Sequence, residues 1–325
     1  MSTTPKQNML FVDPELCQPI DSFAAAIGDT CLDLSDLTGA RNVGQAMAEA
    51  AQAEMSENLN VTIEHEVFFD QQFEINVEIE TYRPKSASGK LPIILFIHGG
   101  GYVLGAADQA RQKLTDWAEK LGVYIASVNY RLAPEHPFPA ALFDCFCTLK
   151  WLISNANQLN IDSTRIALVG ESAGGGLAAG LCHYLRDHTD IKIALQLLLY
   201  PMIDHQNIVP ASDKQSDTYV WSRANNAFGW KSYLAGGVNE SMLSYAVPTT
   251  RIDHIGLPRT SVHVGDLDLF YQENQQYVDD LLDAGVNAQL ISYPGCYHAF
   301  NAIAADAEIS KQFESDLLTT IRACL

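Results

Sequence analysis

The run Arg165-Ile166-Ala167-Leu168-Val169 leads directly into Gly170-Glu171-Ser172-Ala173-Gly174-Gly175-Gly176. A short continuous apolar run is what a strand buried on both faces requires. The small residues that follow predict a closely packed helix. Between the two, Gly170-Glu171-Ser172-Ala173-Gly174 fits G-x-S-x-G, a sharp strand-to-helix turn that presents a serine and leaves no room for flanking side chains. A chain of this composition would show that pattern about 0.1 times by chance, so the context decides. The overlapping Gly174-Gly175-Gly176-Leu177-Ala178-Ala179 fits a loose dinucleotide-binding pattern. Its first glycine, however, stands inside the helix and not at the strand–helix junction that such a turn needs.

Working outward, short apolar runs recur at 92–97, 123–128, 193–199, 261–264 and 288–291. Helical patterns separate them at 109–121, 140–155, 173–186, 272–284 and 305–321. This alternation predicts an α/β fold, with a mostly parallel sheet, right-handed crossovers and helices on both faces. Residues 61–69 and 73–80 instead alternate apolar and polar side chains, the mark of an antiparallel pair at a sheet edge. Residues 15–58 are helical by periodicity. Residues 204–240 break the rhythm, first polar and then aromatic at Tyr219, Trp221, Phe228, Trp230 and Tyr233; they read as a lid over a site or as a packed surface excursion. The expected organisation is an N-terminal helical cap segment over 1–60 and a core over 61–325, with 204–240 as a second cap or lid insertion.

Composition narrows the function. Among 325 residues, 39 are acidic and 20 basic, a formal net charge of -19. Such a chain repels phosphate backbones and anionic surfaces, which argues against nucleic acid as a partner. No apolar run approaches the ~18 residues of a membrane span, and no basic region followed by an apolar core opens the chain, so neither membrane insertion nor a signal peptide is expected. The seven cysteines contain no C-x-x-C pair. They read as reduced thiols packed as small hydrophobes, with no metal site, in a cytoplasmic protein.

A second glycine cluster, His98-Gly99-Gly100-Gly101, follows the apolar run 92–97. Chance would supply that string about 0.002 times. Successive glycines let backbone N–H groups converge where an oxyanion can sit. This loop and the serine turn both lie at the carboxyl ends of parallel strands, where α/β folds build their sites. His98 itself reads as a brace for the loop.

A serine hydroxyl needs a base, and the base needs an acid. In nucleophile-turn folds the chain order is serine, acid, histidine. Of nine histidines, four follow Ser172 at some distance: His205, His254, His263 and His298. No strand-end acid stands between Ser172 and His205, and His263 lies within a strand. His298 stands in the Pro/Gly loop Tyr293-Pro294-Gly295-Cys296-Tyr297-His298, just past the last predicted strand. The preceding strand ends in Val264-Gly265-Asp266-Leu267-Asp268, which offers two carboxylates. One could hold the histidine while the other caps the helix near Tyr271, and spacing does not choose between them.

Four stretches together resemble the hormone-sensitive-lipase family of α/β-hydrolases: His98-Gly99-Gly100-Gly101; Asn129-Tyr130-Arg131-Leu132-Ala133-Pro134-Glu135 with Phe138-Pro139-Ala140-Ala141; the Ser172 turn; and Gly265-Asp266-Leu267-Asp268 with the His298 loop. The resemblance spans roughly residues 60–323. It implies an α/β-hydrolase fold with an eight-stranded, mostly parallel sheet and a helical cap. It implies Ser172 as nucleophile, Asp268 as orienting acid and His298 as general base, with the N–H groups of Gly100, Gly101 and Ala173 as oxyanion donors. Leu269 and Phe270 replace the usual Pro-Leu after the acid, and Ala299 stands where the family usually has glycine. Arg131 and Glu135 read as a buried pair bracing the loop. The implied activity is hydrolysis of small carboxylic esters with short to medium acyl chains, without metal or organic cofactor. An amide deacetylase on the same triad is the alternative, as is a catalytically silent binding protein. The resemblance also implies a homodimer paired through a sheet edge.

Overall fold

The computed structural model describes residues 11–29, 31–55, 58–86, 89–207 and 219–325. Part of the expected cap (1–10, 30, 56 and 57) and of the expected lid (208–218) lies outside them. Strands β1 (Val61–Asp70), β2 (Ile75–Pro84), β3 (Leu91–Ile97), β4 (Tyr124–Asn129), β5 (Ile161–Glu171), β6 (Leu195–Leu199), β7 (Thr260–Gly265) and β8 (Ala288–Tyr293) form one sheet. Its order is β1-β2-β4-β3-β5-β6-β7-β8. β1 and β2 run antiparallel to their neighbours, as their alternating pattern demands, and the remaining pairings are parallel. This is the eight-stranded α/β-hydrolase sheet.

Every residue of β3 is buried. Because successive side chains leave a strand on opposite faces, Ile93, Leu95 and Ile97 pack into one core layer. Ile94 and Phe96 pack into the other. Helices α1 (Pro14–Ile27), α2 (Leu37–Glu54), α3 (Arg111–Leu121), α4 (Ala140–Ser154), α5 (Ala173–His188), α6 (Arg223–Tyr233), α7 (Glu240–Ala246), α8 (Tyr271–Asp283), α9 (Phe300–Ile303) and α10 (Glu308–Arg322) complete the described elements. α6 and α7 fall on and just beyond the segment where no regular period is visible. The buried residues of α6 include Asn225, Asn226, Gly229 and Ser232 beside Trp230 and Tyr233, so polarity does not mark its inward face. The stretch after α1 meets the stretch that leads into α6: Cys31 bridges to Val220, and Asn225 Nδ2 donates to Leu32 O at 3.1 Å.

The expected Arg131–Glu135 pair does not form. Arg131 turns to Asp144 on α4, with Nε and Nη2 2.9–3.1 Å from the carboxylate oxygens, and the Arg131 amide donates to Asp144 Oδ2 at 2.8 Å. The Asp144 side chain is 2% exposed. Glu135 instead accepts from Arg41 of α2 at 2.7 and 2.9 Å, and these bonds hold its carboxyl down at about 2. One arginine thus braces the loop to the core, and another fastens α2 to it. Removing Arg131 leaves a buried carboxylate without its cation, so Arg131→Ala is expected to lower unfolding free energy by about 3 kcal/mol. Glu135→Ala breaks an exposed pair and should cost less than ~1 kcal/mol. Urea unfolding midpoints compare the two, and equal losses would contradict this division.

Candidate active site

β3 and β5 are neighbours in the sheet, so the turns at their carboxyl ends are brought side by side. At the end of β5, Ser172 adopts φ 52°, ψ -118°, a conformation that L-residues hold only when the surroundings enforce it. Two glycines enforce it here. A Cβ on Gly170 would lie 2.1 Å from Gly174 O, and one on Gly174 would lie 2.1 Å from Ile97 O. Only glycines let the turn close this tightly against β3. The turn is tied to the next strand as well: Ser172 N donates to Leu199 O, and Met202 N donates to Ser172 O, both at 2.9 Å.

The three residues singled out by chain order and resemblance converge. Ser172 Oγ lies 3.1 Å from His298 Nε2, and His298 Nδ1 lies 2.7 Å from Asp268 Oδ2. Ser172, Asp268 and His298 are 6%, 0% and 4% exposed, so water reaches them poorly. Tyr200 and Phe270 present ring edges to the imidazole at 4.9 and 5.1 Å between centroids and fix its plane. The two carboxylates left open by spacing now separate. Asp268 Oδ2 faces the histidine while its Oδ1 accepts from Phe270 N at 2.9 Å. Asp266 accepts from Gly295 N at 2.7 Å and so anchors the histidine loop. Neither carboxylate caps α8: Asp268 Oδ1 is taken by the amide of Phe270, the residue just before the helix.

The loop after β3 flanks the serine, since a Cβ on Gly99 would lie 3.3 Å from Ser172 Cβ. Among the described residues, the amides of Gly100, Gly101 and Ala173 donate to no backbone carbonyl. His98 braces this loop, as expected: it stacks on Tyr130 at 4.1 Å, and Nδ1 lies 2.8 Å from Gly99 O. Burial pushes its imidazole down to about 4. His263 lies within β7, hydrogen-bonded to Ser261 and Tyr293.

Several features of the site were not visible in the sequence. Glu171, beside the nucleophile, forms an ion pair with Lys113 of α3, whose ammonium lies over Phe96 and Trp117. Glu273 is a buried carboxylate on the first turn of α8. It accepts from Ile203 N (2.9 Å), Asp204 N (3.2 Å) and Asn207 Nδ2 (3.0 Å). Desolvation, with the charges of Asp204 and Asp268, pushes its carboxyl well above the usual range. The adjacent Asn274 Nδ2 donates to Pro201 O at 2.7 Å. The helix that follows the acid thus grips the 201–207 loop, which in turn holds Ser172. A cavity of about 570 Å³ opens between α2 and the β2 side of the sheet, lined in part by Arg41, His65, Glu80 and Asp108, and touches the site at Gly100.

The sheet and this constellation define an α/β-hydrolase, and comparison with known proteins agrees. The family model described as alpha/beta hydrolase fold matches residues 94–302. The carboxylesterase NlhH of Mycobacterium tuberculosis is 31% identical over 229 residues, which is 69% of this chain and 71% of that protein. The ethyl acetate hydrolase of Pseudomonas putida is 30% identical over 239 residues, 68% of this chain and 70% of that one. A solved bacterial heroin esterase superposes with a TM-score of 0.89 at 33% identity, covering 98% of this chain and 99% of its own. The chain belongs to the hormone-sensitive-lipase family of α/β-hydrolases. Among the described residues, no helix is long and apolar enough to cross a membrane.

Two consequences can be measured. His98 stays neutral in the folded protein down to about 4, whereas an unfolded chain protonates it near 6.5. Its contribution is therefore complete above 6.5 and is lost as pH falls toward 4. His98→Asn should flatten the fall of unfolding free energy with acidity across that window by about 1.4 kcal/mol per pH unit, read from urea titrations at several pH values. Ala299 occupies the left-handed region at φ 54°, ψ 28°. Its glycine replacement should raise stability by up to about 1 kcal/mol, read by thermal melting, with activity retained.

Proposed function

We propose that this carboxylic-ester hydrolase works as a serine esterase through a covalent acyl-enzyme, with Ser172 as nucleophile, His298 as general base and Asp268 as orienting acid. One observation carries the reading: a continuous buried chain from Asp268 Oδ2 through His298 to Ser172 Oγ, with links of 2.7 and 3.1 Å. His298 Nε2 takes the hydroxyl proton as Oγ attacks the ester carbonyl. Asp268 holds Nδ1–H, fixing the tautomer and favouring the imidazolium that forms. The Gly100, Gly101 and Ala173 amides, which among the described residues donate to no backbone carbonyl, are the donors for the tetrahedral oxyanion. Such a donor contributes on the order of 3 kcal/mol to the barrier reduction. His298 then protonates the departing alcohol, and water attacks the acyl-serine by the same route in reverse.

The N-terminal helices and the 204–240 insertion act as the cap of this site. Their mutual contacts at Cys31–Val220 and Leu32–Asn225 support that role. Trp221 packs on Gly101 and narrows the space beside the oxyanion donors, which favours short to medium acyl chains. A relative named for hydrolysis of ethyl acetate is consistent with that preference.

Ser172→Ala should reduce kcat on a chromogenic short-chain ester by at least ~10³-fold. A fluorophosphonate should phosphonylate Ser172 of the unmodified protein with loss of fluoride, adding the mass of the reagent less HF. Near-normal turnover by the variant would sink the assignment. A matched ester and anilide, compared by kcat/KM, set the ester preference against the amide.

A further inference from the structure

We infer that α1 positions the general base: its first turn holds the loop that carries His298 and so sets the reach of Nε2 to Ser172. The inference rests on the serine esterase reading above. It adds Asp13, Leu16, Gly295 and Tyr297 to that reading as positioning residues.

The loop leaves β8 and is held by two partners before it reaches His298. The first is the segment that leads to Asp268. Gly295 N donates to Asp266 Oδ1 at 2.7 Å, and Leu267 N donates to Cys296 O at 3.1 Å. A Cβ on Gly265 would lie 2.1 Å from Cys296 O, so the two main chains touch there. The second partner is α1. Gly295 O accepts from Asp13 N at 3.0 Å, and Tyr297 Oη donates to Leu16 O at 3.4 Å. Gly295 has φ +71°, and a Cβ on it would lie 2.7 Å from Asp13 N and 3.1 Å from Phe11 O. Gly295 thus gives its N–H to the segment of the acid and its C=O to α1, three residues before the imidazole.

α1 is anchored well enough to act as a brace. Leu16 and Ile20 are fully buried and share one core layer with Cys296, Tyr297 and Phe300. Asp13 Oδ1 accepts from Glu15 N at 2.9 Å and closes the first turn. Glu15 Oε2 accepts from Glu308 N at 2.6 Å and ties that turn to α10.

The two partners act on different links of the proton path. The Asp266 and Leu267 contacts fix the loop to the segment that bears the acid, and so keep Nδ1 near Asp268. Without the α1 contacts the loop can pivot on that attachment, which lengthens the 3.1 Å link to Ser172 Oγ. A displacement of about 1 Å at such a link costs on the order of 10²-fold in rate.

Asp13→Pro tests this. It removes the N–H that Gly295 O accepts and puts a ring carbon in its place, and the φ of -53° at that position suits proline. Asp13→Ala loses the same side-chain cap but keeps the N–H, and so serves as the control. Turnover of a chromogenic short-chain ester is divided by the number of Ser172 residues that exhaustive fluorophosphonate labelling counts, which removes unfolded molecules from the comparison. The kcat of Asp13→Pro should then lie about tenfold or more below that of Asp13→Ala, with KM changed by less than about twofold. The rate constant of phosphonylation should fall with kcat, because that step also needs Nε2 within reach of Oγ. Gly295→Ala opens the same contact from the side of the loop and should show the same split. Equal kcat in Asp13→Pro and Asp13→Ala, a loss that appears in KM instead, or an unchanged kcat in Gly295→Ala overturns the positioning role. Near-normal turnover by Ser172→Ala removes the serine esterase reading instead.

Discussion

The contact between Gly174 and the carbonyl of Ile97 is the constraint on which the site depends. It exists only because neither partner brings a side chain to it, and because β3 and β5 are adjacent in the sheet. Through it, the Ser172 turn and the glycine loop after β3 share one wall. The positive φ of Ser172 is the local consequence, offset by one bond to the end of β6 and one from the loop that follows it. Everything else at the site is arranged around that fixed pair of turns: the imidazole plane set by Tyr200 and Phe270, and the acid held by its own helix start.

The sheet, its edge hairpin, the Ser172 turn and the His298 loop were legible because their signals are local, whereas spacing left Asp266 and Asp268 open and only the family resemblance favoured Asp268. A strand shows its burial in four to eight consecutive residues, and a turn shows its geometry in its glycines. What escaped reading depends on distant partners. Glu171 meets Lys113 58 positions away, and Glu135 meets Arg41 94 positions away. Nothing in a single sequence says which of several cations a carboxylate will choose, and the expected Arg131–Glu135 pair failed for that reason: Asp144, buried on α4, offers a drier and better-oriented acceptor. α6 was hidden for a different cause. Its inward face carries asparagine, glycine and serine among its aromatics, so the apolar period that reveals a helix is diluted.

Asp266 and Asp268 show how two similar residues acquire distinct tasks through depth. Asp268 is fully enclosed and faces the imidazole. Asp266 holds the backbone of the loop that carries the imidazole. Chemistry and support are thus divided between neighbours in the chain, and Glu273 extends the support to the loop that reaches Ser172.

Strand β6 supplies none of Ser172, Asp268 and His298, yet it stands between the strand that leads to Ser172 and the strand that leads to Asp268. The gap that the imidazole spans is therefore two inter-strand steps, roughly 10 Å across the backbones. That distance is a lattice constant of the sheet, maintained by ladder hydrogen bonds and indifferent to the identity of the leucines along β6. The loops around the site can exchange side chains or lengthen without altering it. In this protein the ruler for the reaction is main chain, and the side chains only fill an interval already measured out.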